Sequence, residues 1–135
     1  MAQYEHLPIY KKAYDLTVYI ETVVRSFSRY HKYTLGTELR NLSREVLRLI
    51  RAANNSEERA PLLQQNRERL EDLKITVRLC KDLKAFANFN AFEQCINQVV
   101  DICRQNEGWL RTTLQKGGRP ESAVHDREQA ERADR

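Results

Sequence analysis

Residues that break a chain are scarce in this sequence. It has 4 Gly and 3 Pro in 135 positions and no alternating apolar run long enough for a sheet, which leaves an all-α domain. No stretch approaches the roughly eighteen consecutive apolar residues that a membrane helix needs. The opening Met1-Ala2-Gln3-Tyr4-Glu5-His6 has neither the basic start nor the apolar core of a secretory leader. The expected location is therefore cytoplasmic, without a membrane partner. The three cysteines, Cys80, Cys95 and Cys103, make no CxxC and no Cys/His cluster at metal spacing. They read as buried free thiols, although Cys80 and Cys95 fall opposite each other if the last two helices form a hairpin. His6, His31 and His125 have no partners at a useful spacing, and there is no Gly-rich phosphate loop. No Glu-x-x-His pair of a di-metal bundle occurs either. The expectation is a protein that is not an enzyme, with no cofactor, no metal and no small-molecule substrate.

What the sequence does have is helical periodicity. The length suits one domain with one core. Four helices are expected, over about 8–28, 34–53, 57–86 and 90–115, joined by short connections into an up-down-up-down bundle. In the first, Pro8 suits the opening turn, and Ile9, Ala13, Leu16, Ile20, Val23, Val24 and Phe27 make the core stripe. Tyr10, Tyr14 and Val18 make a second apolar stripe at steps of four, either a subunit contact or a wide core face with hydroxyls at its rim. Arg29-Tyr30-His31-Lys32-Tyr33 is a polar, aromatic connection. It reads as a solvated loop, with base stacking as the alternative.

The second helix carries Leu35, Leu39, Leu42, Val46, Leu49 and Ala53 on one side and Arg40, Arg44, Arg48 and Arg51 on another. Thr34 is its expected cap, and Gly36 in its first turn allows close packing. The third begins near Ser56 or Pro61. It buries Leu63, Asn66, Leu70, Leu73, Val77 and Cys80, with Leu62, Leu79 and Leu83 widening the stripe. Asn66 serves either register or a boundary position. Asn90-Ala91-Phe92-Glu93 has the order of a capping box for the fourth helix. That helix buries Phe92, Cys95, Ile96, Val99, Ile102, Cys103, Asn106 and Leu110. Gly108 beside Trp109 suggests the close approach of another backbone or ring, with Trp109 as a core or interface anchor. Residues 116–135 are polar, alternately charged and expected to be a disordered tail.

The net charge is +4. The tail's basic and acidic residues cancel, so the excess belongs to the bundle. Its candidates for binding nucleic acid or an acidic protein are Arg40, Arg44, Arg48, Arg51, Arg67, Lys74, Arg78, Lys81, Lys84, Arg104 and Arg111. Arginine suits phosphate because its planar fork donates two parallel hydrogen bonds. Glu38, Glu45, Glu68, Glu71 and Asp82 lie nearby, and ordinary ion pairs on a solvated helix give the same pattern. Repetition around an oligomer would turn a modest charge into a strong field.

Leu7-Pro8-Ile9-Tyr10-Lys11-Lys12-Ala13-Tyr14-Asp15-Leu16 is followed by Lys32-Tyr33-Thr34-Leu35-Gly36-Thr37-Glu38-Leu39-Arg40. Then come Leu79-Cys80-Lys81-Asp82-Leu83 and Gly108-Trp109-Leu110. Together, in this order, they resemble the Avd family, the accessory variability determinants of diversity-generating retroelements. That family is similar in turn to the four-helix-bundle proteins encoded by intervening sequences of 23S ribosomal RNA genes. The likeness covers about residues 7–115 and has no counterpart for the tail. It implies a basic, homopentameric barrel of four-helix bundles, itself non-catalytic. The implied partners are the element's reverse transcriptase and nucleic acid, RNA with DNA as a further candidate, in support of mutagenic retrohoming. The resemblance transfers no individual binding residue, so the basic positions above and the subunit-contact residues Tyr10, Tyr14, Val18 and Trp109 rest on helical placement. The alternative is an oligomeric interaction protein of the ribosomal intervening-sequence type, with no polymerase partner.

Overall fold

A computed structural model describes residues 3–117, and the described residues are helical, with no strand among them. A single 3-10 turn, Gln3–His6, leads into α1 (Pro8–Val24). A four-residue α2 (Arg29–Lys32) joins it to α3 (Leu35–Asn54). Then come α4 (Arg59–Asp82) and α5 (Phe89–Gly117). The long helices pack in the cyclic order α1, α3, α4, α5, so α1 and α4 stand at opposite corners. Residues 118–135, most of the expected tail, lie outside the described residues, whereas Lys116 and Gly117 still belong to α5.

Helical periodicity placed the core well. Leu16, Ile20, Leu39, Val46, Leu49, Leu63, Leu70, Leu73, Val77, Ile102 and Leu110 are all buried, and they close the space among the four long helices. Asn66 is also fully buried. Its Nδ2 donates to Oδ1 of Asn106 at 3.0 Å, and Nδ2 of Asn106 donates to the carbonyl of Leu63 at 3.0 Å. This polar pair pins α4 against α5 at one register. Gly36 is packed as closely as expected: a Cβ there would meet Val24 Cγ1 at 2.7 Å and the His31 carbonyl oxygen at 3.2 Å. That contact locks α2 against the start of α3.

Helix ends differ from the sequence expectation because caps depend on local geometry. The first helix stops at Val24 rather than near 28, since the chain must fold back through α2 to return Phe27 to the core. The Thr34 hydroxyl makes no cap and donates instead to the Tyr30 carbonyl at 2.8 Å. The last helix is capped by Asn88, not Asn90: Oδ1 of Asn88 accepts from the Ala91 amide at 2.8 Å. α4 ends at Asp82 rather than near 86, in a paired C-terminal turn where the Ala85 amide donates to the Cys80 carbonyl at 2.8 Å and the Lys84 amide to Lys81 at 3.0 Å. Lys84 holds the left-handed position of that turn, with φ 60. Glycine is the usual occupant there, because a Cβ is disfavoured at positive φ.

Leu79 and Leu83 do not widen the core stripe. With Ile75 they lie exposed on the outer side of α4, at steps of four. Gly108 does not admit a close neighbour either, since a Cβ there would meet nothing within 4 Å.

Candidate functional site

Most of the arginines expected on the outside of the bundle do lie there, but they fall into two groups. One group is tied to carboxylates, often on a neighbouring helix. Arg40 directs Nε at both oxygens of Glu21, each at 3.0 Å, and Arg44 donates from Nη2 to the same carboxylate at 2.8 Å. Burial alone would raise the Glu21 carboxyl, but the hydrogen bonds and charges of Arg40 and Arg44 outweigh it and hold it below its ordinary value. Arg48 pairs with Glu45 one turn away. Arg67 grips Glu107 with Nε at 2.6 Å and Nη2 at 2.9 Å, a forked pair that holds the guanidinium above its ordinary pKa. Lys74 pairs with Glu71 at 3.2 Å and Lys81 with Asp82 at 3.6 Å. Lys81 also stands 5.0 Å from the Phe92 ring centre.

The other group has no carboxylate within 4.0 Å among the described residues. It contains Arg51, Arg78, Lys84, Arg104 and Arg111, and also Arg25, Arg29 and Lys32, which the sequence reading did not single out. The clue to these three was a stretch without acids. Between Glu21 and Glu38 there is no Asp or Glu. Exposed ion pairs are worth about 0.2–1 kcal/mol. The paired arginines can therefore exchange their carboxylates for phosphate at small cost, while the unpaired ones need no exchange at all.

The apolar residues expected at a subunit contact divide as well. Tyr14 and Val18 are each 52% exposed on the outer side of α1. Tyr10 is half-buried, edge-on to Tyr4 with ring centres 4.8 Å apart and 6.2 Å from Tyr14. Burial first, then the neighbouring Tyr4 and Glu5, pushes the Tyr10 hydroxyl up. Trp109 is turned inward. It packs on both parts of the core, with Arg59 standing 5.9 Å from its ring centre. Arg59, also missed from sequence, is buried and donates to the carbonyls of Ala53 at 3.0 Å and Asn54 at 3.1 Å, closing the C-terminal end of α3. Trp109 and Arg59 border a cleft of about 610 Å³, together with Leu7, Arg111 and Lys116.

The thiols are structural. Cys80 and Cys95 are fully buried, and desolvation pushes each up to about 12. Cys103 is half-buried and raised for the same reason. Among the described residues no three His, Cys, Asp or Glu side chains converge so as to hold a metal ion, and no helix is long and apolar enough to cross a membrane.

The family model described as bAvd-like matches residues 7–113, which spans the bundle from the start of α1 to the last turns of α5. No curated protein matches the sequence.

Proposed function

The chain belongs to the bAvd-like family, and from that premise we propose that it is a non-catalytic accessory protein of a diversity-generating retroelement. In this reading it binds the element's reverse transcriptase and its template RNA or cDNA, supporting mutagenic retrohoming. The observation that carries the reading is the family match across residues 7–113, the whole bundle rather than one motif. The unpaired cations support it, since they leave positive charge available to a polyanion.

Assembly into a ring is part of the proposal. Two exposed apolar stripes stand at opposite corners of the bundle, Tyr14 and Val18 on α1 and Ile75, Leu79 and Leu83 on α4. Exposed positions of α4 carry Glu68, Glu71, Asp72 and Asp82 beside Arg67, Arg78 and Lys81, and those of α1 carry Lys11 and Lys12 beside Asp15. Two different apolar faces at opposite corners favour a head-to-tail contact, and such contacts close into rings when the rotation allows. Five subunits is the number that the family resemblance implies.

Two measurements test the reading. The element's reverse transcriptase should co-purify with this protein; a polymerase that passes through free would leave only an oligomeric interaction protein of the ribosomal intervening-sequence type. RNA affinity should fall steeply with salt, because each neutralised phosphate releases counterions, with a log–log slope of about −0.7 per contact for a single strand. Arg78→Ala should reduce that slope by about one contact's worth. An RNA affinity indifferent to salt would contradict the nucleic-acid half of the proposal.

A further inference from the structure

The two connections at one end of the bundle both lack acidic residues. Residues 22–37 contain no Asp or Glu, and neither do residues 83–92. The opposite end, between α3 and α4, carries Glu57 and Glu58. The two acid-free connections lie side by side: Phe27 of the first meets Phe86 of the second edge-on, ring centres 5.5 Å apart. Arg25, Arg29, Lys32 and Lys84 project from them without a carboxylate partner among the described residues. The acids that flank these stretches in the sequence are Glu21, Glu38, Asp82 and Glu93. Asp82 pairs with Lys81, Glu38 accepts from Thr76 at 3.3 Å, and Glu93 is the fifth residue of α5.

Two tyrosines on the first connection are largely uncovered, Tyr30 meeting the His31 ring edge-on at 5.5 Å, while the exposed Phe89 of the second lies against Phe92. Tyr30 is 75% exposed and Tyr33 is 69% exposed. They are three positions apart on one tight turn, so both rings emerge on the same side. The turn itself is rigid, because Gly36 brings α3 against the His31 carbonyl and the Val24 side chain. The other connection places Lys84 at φ 60, the one non-glycine at positive φ among the described residues. Lysine there sacrifices stability that glycine would restore, and strain of this kind clusters at functional positions.

We infer that this end of the bundle is a platform for single-stranded nucleic acid. The four cations take successive phosphates, and the Tyr30 and Tyr33 rings stack on unpaired bases. Duplex nucleic acid offers phosphates to the cations but hides its base faces from the rings. Exposed rings beside a cationic track are what a single strand requires. The inference rests on the nucleic-acid part of the reading above and assigns it a place, away from the arginines of α3. In a closed ring, cyclic symmetry would gather one such end from every subunit on the same rim.

The test is fluorescence anisotropy of the full chain with a fluorescein-labelled pyrimidine oligonucleotide of about 16 residues, and with a duplex of the same length. The wild type should prefer the single strand. Tyr30→Ala and Tyr33→Ala should each lose roughly tenfold in single-strand affinity, one base's worth of stacking, with duplex affinity changed less than about twofold. The phenylalanine variants should retain the wild-type affinity, and far-UV circular dichroism should match throughout. Lys84→Gly should melt higher yet bind the single strand more weakly, a pairing that a purely structural lysine would not give. Alanine variants that bind the single strand like wild type overturn this inference alone, as does an equal loss for strand and duplex. A wild type that binds neither oligonucleotide removes this inference and the nucleic-acid half of the broader reading together.

Discussion

The Glu21 carboxylate on α1 lies 3.0 Å from Nε of Arg40 on α3 and also accepts from Arg44, so one acid is shared by two arginines. The α1–α3 seam therefore keeps a net positive charge even when every ion pair is made. Because the folded carboxyl is held below its ordinary value of 4.5, its stabilisation is complete above about that pH. It is lost as pH falls through the lower, folded value. Glu21→Gln should cost less than about 1 kcal/mol at neutral pH, since all three groups are partly exposed. It should also flatten the acid limb of a melting-temperature profile and tighten RNA binding at low salt. An unchanged acid limb would show that the shared carboxylate is not what loosens the seam.

Buried polarity between α4 and α5 should matter more. Asn106→Ala removes both the acceptor for Asn66 and the donor to Leu63. Stranding buried polar groups costs roughly 1–3 kcal/mol. Asn66→Ala should cost less, because the bond from Asn106 to Leu63 survives. Urea titrations of the two variants should give that order of midpoints.

Thiol chemistry offers a check on the core. Cys80 and Cys95, pushed up to about 12 by burial, should be inert to a disulfide reagent at pH 8 in the folded protein, because the thiolate is the nucleophile. At most the half-buried Cys103 should react. All three should react in guanidinium. Two or more fast thiols in the native protein would contradict the packing of α4 on α5.

Assembly can be dissected with single charges. Leu79→Asp on α4 and Val18→Asp on α1 alter exposed side chains, so helicity should persist while each variant falls to a monomer of 15.9 kDa. If the contact is head-to-tail, a mixture of the two should form a heterodimer, because each variant keeps the face that the other has lost. Light scattering distinguishes these states. A wild type that is itself monomeric removes the ring from the account.

The bundle was legible in the sequence because a 3.6-residue period marks a buried stripe wherever the stripe falls. Ile9, Leu39, Leu70 and Ile102 needed nothing more. Leu79 and Leu83 were misplaced because leucines near a helical stripe look like core until the positions of neighbouring helices are known. Helix ends were missed for a related reason: Asn88 and Asn90 are equally good caps on paper, and only the path of the chain selects between them. The ion pairs were the least legible feature. Arg40 and Glu21 are 19 positions apart, and Arg67 and Glu107 are 40 apart. Reading along one helix therefore finds only pairs such as Arg48 with Glu45. Of the cations on the acid-free connections, Lys84 was already a candidate, whereas Arg29 and Lys32 lay in the stretch read as a solvated loop and Arg25 fell off the core stripe of the expected first helix.

The accessory role is tested most directly by reconstitution. The retroelement's reverse transcriptase is given its template RNA with and without this protein, and cDNA synthesis is measured. The account predicts that cDNA from the template depends on the protein and that enzyme, protein and RNA elute together. Equal cDNA in both reactions, with the polymerase eluting alone, would contradict it.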